Sequence, residues 1–152
     1  MKKLVFFSAL LSLSLVSCGD DDKPQPEQQK DTQTLLTAKW NLVKSEYIIN
    51  GVTETEDLKP GDCDYDYYDL KSGGLKDEIS HDESDNCSTS NWPGTWAYNA
   101  AKKQVTLVDS DDNYTLVTEV ISINATDLKI KLISADGEPA PTGTEVYLYL
   151  KR

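Results

Sequence analysis

Three groups of residues in this chain have the types that can do chemistry. They are one histidine among acids, three cysteines, and the acidic run Asp109-Ser110-Asp111-Asp112-Asn113. His81 stands in Ser80-His81-Asp82-Glu83. A Ser-His-Asp grouping works through geometry, and neighbours on a strand point to opposite faces, so adjacency gives no triad. His81 is expected to be a solvated loop histidine. The run from Asp109 starts like a calcium loop, but Tyr114 holds the sixth position, which needs Gly, and Val120 the twelfth, which needs Glu. It reads as an acidic hairpin turn. Asp62, Asp64, Asp66 and Asp69 form a second acidic cluster, expected to be solvated rim. Nothing singles out one carboxylate pair for glycoside hydrolysis. The expectation is a protein that is not an enzyme, with no catalytic residue, no metal ligand and no cofactor.

The cysteines divide by position. Lys2 and Lys3 precede an apolar run, Leu4 to Val16, broken only by serines. That run is shorter than the roughly 20 residues of a permanent membrane helix and suits a secretory signal. Leu15-Val16-Ser17-Cys18 resembles a bacterial lipobox. The likeness implies cleavage before Cys18 and acylation of its thiol by palmitate-type chains. Several such chains, at about 0.8 kcal/mol per buried CH₂, hold a protein to a membrane stably. Cys63 and Cys87 remain, and an even pair in an exported protein reads as a disulfide. Redox or metal chemistry would want C-x-x-C spacing or a second His/Cys set.

Charge excludes one class of partner. The chain carries 15 basic and 26 acidic residues, and losing residues 1–17 removes two lysines and no acid. The field is strongly negative, so no nucleic acid is expected as a partner, and no anionic lipid surface through a basic patch. Contact with a membrane is expected only through the lipid anchor.

A tether and a single domain must position these residues. Apart from Cys18, residues 18–33 are mostly Asp, Lys, Pro, Gln and Glu without a large apolar side chain, the composition of a flexible tether. Residues 34–152 are one domain's worth of chain, without internal repeats. Period-two patterning between turn signals makes the domain all-β. Eight strands are expected, at about 40–49, 64–71, 75–81, 95–99, 104–109, 114–123, 127–133 and 145–151. A short helical turn within 31–39 precedes them. Asn50-Gly51, Ser72-Gly73-Gly74 and Asp136-Gly137 are turn chemistry. Mostly tight links favour an eight-stranded antiparallel up-and-down barrel over a sandwich. The exception is a long link from His81 to Pro93, which a Cys63–Cys87 bridge would tie to the start of the second strand.

The order of short motifs is informative in its own right. Leu35-Leu36-Thr37-Ala38-Lys39-Trp40 is followed by Asn50-Gly51, Cys63-x-x-Asp66-x-x-x-Leu70-x-x-Gly73-Gly74, Cys87 and Gly94-Thr95-Trp96. This order is similar to small lipocalin-like lipoproteins of Bacteroidetes bacteria. Ala38 stands where those have Gly, Leu70 where they have Phe, and Gly73 where they have Asp. The resemblance implies an eight-stranded barrel and a Cys63–Cys87 bridge. Asp20-Asp21-Asp22 behind Cys18 also resembles their surface-export signal, implying the outer membrane and the cell surface.

Two functions are expected. The first is binding of a small apolar or amphipathic molecule in the barrel, by inward Tyr68, Trp96, Tyr98, Leu116 and Leu148; Trp40 would plug the closed end. A barrel of eight strands either fills its interior or holds one small molecule. The second is an interaction or envelope-structural protein that uses outward Tyr65, Tyr67, Tyr147 and Tyr149.

Overall fold

The computed structural model describes residues 31–152. The expected signal peptide, Cys18 and the expected tether up to residue 30 lie outside the described residues. The helical turn expected within residues 31–39 is α1 (Thr32–Leu36). Asp31 caps it, its carboxylate accepting from the Thr34 amide at 3.0 Å and the Thr34 hydroxyl at 2.8 Å.

Ten strands come after it: β1 (Lys39–Ile49), β2 (Val52–Asp57), β3 (Tyr67–Leu70), β4 (Leu75–Asp82), β5 (Ser88–Asn99), β6 (Gln104–Asp109), β7 (Thr115–Ile123), β8 (Asp127–Ala135), β9 (Glu138–Pro139) and β10 (Thr144–Lys151). Eight of them make a closed antiparallel barrel in the order β1-β3-β4-β5-β6-β7-β8-β10, sealed by pairing of β10 with both β8 and β1. Each strand pairs with its neighbours in that order, which is the up-and-down arrangement. Closure leaves no exposed sheet edge around the wall.

The two extra strands come from tight hairpins. Asn50 and Gly51 both have positive φ, the type I′ turn, and return the chain along β1 as β2. Asp136 and Gly137 do the same between β8 and β9. β2 and β3 are two halves of one broken strand along β1. Leu58 donates its amide to Val43 and Leu42 donates to Asp66, so the ladder continues on both sides of an excursion at 58–66. Pro60-Gly61 cannot sit in a central ladder, and the chain loops out there. The second expected strand therefore starts later than expected, at Tyr67. β2 lacks the apolar alternation that marks a strand because all six of its residues are exposed.

The expected long link between His81 and Pro93 is a correction. β4 and β5 stay paired out to Asp82 and Ser88, around a 3-10 turn at Glu83–Asp85. This hairpin runs past the barrel wall, so Ser88 to Trp92 has no core face to fill and carries no apolar alternation. Cys63 and Cys87 form a disulfide with Cα atoms 5.5 Å apart. It joins the 58–66 excursion to that hairpin tip.

The core is set at the α1 end. Leu36 and Trp40 are fully buried, and the Trp40 indole N–H donates to the Leu36 carbonyl at 2.9 Å. The Arg152 guanidinium lies 4.5 Å over the Trp40 ring and donates to the Leu35 carbonyl. Above this plug, Leu70, Trp96, Val105, Leu107, Val120, Leu128, Ile130 and Leu150 fill the interior. The void left among them is about 20 Å³, too small for a ligand.

Candidate functional site

The unfilled part of the barrel is the end opposite α1. β4 alternates so that Lys76 and Glu78 point inward, while Leu75 is exposed on the outside. Lys76 pairs with Gly94 on β5, and Gly94 pairs with Asp109 on β6. The three positions share one face. With no side chain at Gly94, the Lys76 stem passes across it to reach Asp109, with which it forms a close ion pair. Its ammonium also contacts the Glu78 carboxylate at 3.2 Å and the Trp92 carbonyl at 3.4 Å. The Lys76 side chain is wholly buried. A buried ammonium must be paired, and here two carboxylates and a carbonyl do it.

Above the pair lies a cavity of about 170 Å³, lined by Tyr68, Glu78, Leu107, Asp109, Tyr114 and Leu116. Tyr68 is 8 % exposed. Burial, then the nearby Glu78 and Asp109 carboxylates, push its phenol far above the ordinary value, so it stays a neutral donor. Burial also raises the Glu78 pKa, against the pull of Lys76. Asp66 stands close by and accepts from the His81 amide at 2.7 Å and meets the His81 ring at 3.1 Å. Four exposed apolar residues stand on hairpins at this end: Ile49, Val52, Trp92 and Tyr114.

The five expected ligand-lining residues are not gathered into one site. Tyr68 and Leu116 line the mouth cavity. Trp96 and Tyr98 line an open groove of about 580 Å³ at the α1 end with Ser72, Gly73 and Gly74. Trp96 is core, with its indole N–H donating to the Lys71 carbonyl at 2.8 Å. Leu148 faces Ser45 and Ile130 and packs against the core. Tyr68 and Trp96 belong to one buried core cluster, with Tyr98 and Leu116 packed against it.

His81 is on β4 with its side chain 10 % exposed, held by Asp66, and so is not a solvated loop residue. It lines an outer groove with Lys39, Tyr65 and Tyr67. Asp109 leaves the acidic run to turn inward, while Asp112 accepts from the Tyr114 amide at 2.9 Å and closes the turn. Among the described residues no three His, Cys, Asp or Glu side chains are grouped to hold a metal.

Tyr67, Tyr147 and Tyr149 face outward, as their alternation predicts, but they are covered. Lys39 lies 3.5 Å over Tyr67, Lys44 lies 3.8 Å over Tyr149, and Lys129 spans Tyr147 and Tyr149. The Tyr147 and Tyr149 hydroxyls donate to Glu145 and Glu46. Their faces and hydroxyls are engaged within the protein.

The Lys76–Glu78–Asp109 cluster and Tyr114 are not legible as a site in the sequence. On β4 the apolar residues Leu75 and Ile79 sit on the outer face, so hydrophobic alternation points to the wrong side. The one sequence signal is Gly94 two residues before Trp96, an inward position without a side chain.

Crystal structures to which the chain is similar include two from Bacteroides species. One is a lipocalin-like protein from Bacteroides uniformis ATCC 8492, 14% identical, with a TM-score of 0.49, covering 77% of this chain and 97% of that one. The other is an uncharacterized protein from Bacteroides eggerthii DSM 20697, 13% identical, with a TM-score of 0.48, covering 76% and 98%. Comparison with curated proteins finds no match. The profile of the lipocalin-like domain matches residues 36–130, most of the barrel, and this chain belongs to that family.

Proposed function

We propose that the protein binds a small amphipathic molecule at the open mouth of the barrel, and not in its interior. One observation carries this reading: the interior void is about 20 Å³, whereas the mouth holds about 170 Å³ between apolar walls and convergent polar groups. Ligand sites are commonly apolar clefts with a few placed polar groups, often in the mouths of barrels. Tyr114, which lines the cavity and is also exposed, carries the apolar lining out to the surface.

In this reading the protein sits on the outer membrane, facing the cell surface, held by acyl chains on Cys18. The lipobox and the acids after it support this. Palmitate labelling that Cys18→Ala abolishes is the expected result.

NMR titration of the isotope-labelled protein with small amphipathic fragments tests the mouth reading. Shift changes are expected at Asp109, Tyr114 and Leu116, and Leu116→Trp, which fills the cavity, should remove them. Changes confined to Trp96 and Tyr98 would place the ligand at the other end and overturn the reading.

A further inference from the structure

The polar groups at the mouth also select the ligand by charge. Two carboxylates, Glu78 and Asp109, line the cavity. The ammonium that pairs with both has no exposed surface, so it stands behind them and offers nothing to an anion. Asp66 adds a third carboxylate nearby, close enough to act on both Tyr68 and Glu78. The carboxylates at the mouth thus outnumber the buried lysine.

Tyr68 supplies an independent observation. It is more than nine-tenths buried, lines the cavity, and its phenol has no hydrogen-bond partner among the described residues. The hydroxyl oxygen itself opens into the cavity, where a ligand can reach it. A cation beside two carboxylates and two aromatic rings, Tyr68 and Tyr114, meets charge-assisted and cation–π attraction together. Its remaining donors or an adjacent oxygen can satisfy the phenol.

Size limits the rest. At about 170 Å³ the cavity is below the roughly 300–1,000 Å³ of drug-sized sites, so it takes a head group and a few further atoms. The remainder of the ligand would lie against Trp92 and Tyr114, which are 44% and 40% exposed. The strongly negative chain draws cations toward the mouth from solution.

We infer that the mouth cavity is an amine-binding site, taking the ammonium of a small apolar amine between Glu78, Asp109 and Tyr68. This rests on the mouth reading and goes beyond it by fixing the charge of the head group. Isothermal titration calorimetry of the full chain with phenethylamine, phenethyl alcohol and phenylacetate tests it. Phenethylamine is expected to bind at least ten-fold more tightly than the alcohol, and phenylacetate not at all. Glu78→Gln should weaken the amine at least ten-fold and so narrow its margin over the alcohol. Tyr114→Leu, at an exposed position that does not put folding at risk, should weaken it several-fold. Equal binding of amine and alcohol would overturn the amine assignment while leaving a ligand at the mouth. Absence of phenethylamine binding to the folded protein would overturn the assignment outright, and the NMR map then decides separately whether the mouth binds other fragments.

Discussion

Glu78 shows how one side chain at the mouth links stability to acidity. Burial raises its pKa above that of the unfolded chain, and Lys76 only partly opposes this. The folded state therefore holds the Glu78 proton more tightly than the unfolded state does. That contribution to stability is complete below the unfolded pKa and is lost as pH rises through the raised value. Urea midpoints of wild type and Glu78→Gln, measured from pH 4 upward, should show wild type losing ground to the variant. A constant gap would mean that burial does not set the Glu78 titration. Asp77 and Glu145 run the other way. Hydrogen bonds from Lys71 and Lys131 lower their pKa values, so what they add is lost as pH falls.

Among the elements, the β4–β5–β6 wall is the one that builds the site, and Gly94 is its critical position. A Cβ added there would collide with the Val108 carbonyl, which is backbone and cannot swing aside. Gly94→Ala is expected to lose about 1–3 kcal/mol by overpacking, read as a lower midpoint in urea. Thr95→Ala, one residue on and exposed, should change stability by less than about 0.5 kcal/mol. Equal midpoints for the two variants would remove the close approach as the reason for this glycine. The same wall explains what sequence patterning can reach. β8 is plain in the sequence because Leu128 and Ile130 face a filled core while Lys129 and Lys131 face water. The hairpin tip of β4 and β5 is not, because strands that run past the core have no apolar face to announce them. Trp96 can be assigned to the interior, but whether it lines a space or fills one depends on side chains from several other strands. Alternation along one strand carries no such information.

At the scale of the molecule, a small barrel is filled at one end, open at the other, and stapled on its outside. The Cys63–Cys87 bridge spans 24 residues and ties the excursion that breaks β2 from β3 to the hairpin at the mouth. Removing it with a Cys63→Ser/Cys87→Ser pair should cost about 3–4 kcal/mol by loop-closure entropy, seen as a lower denaturant midpoint. An unchanged midpoint would mean that the broken strand is held by its ladder bonds alone.

The plug of α1, Trp40 and Arg152 has a directional consequence. Residue 31 lies at the sealed base, so any stem continuing upstream joins the body at its foot. A stem there leaves the open rim, at the opposite pole of the cylinder, clear of its own point of attachment.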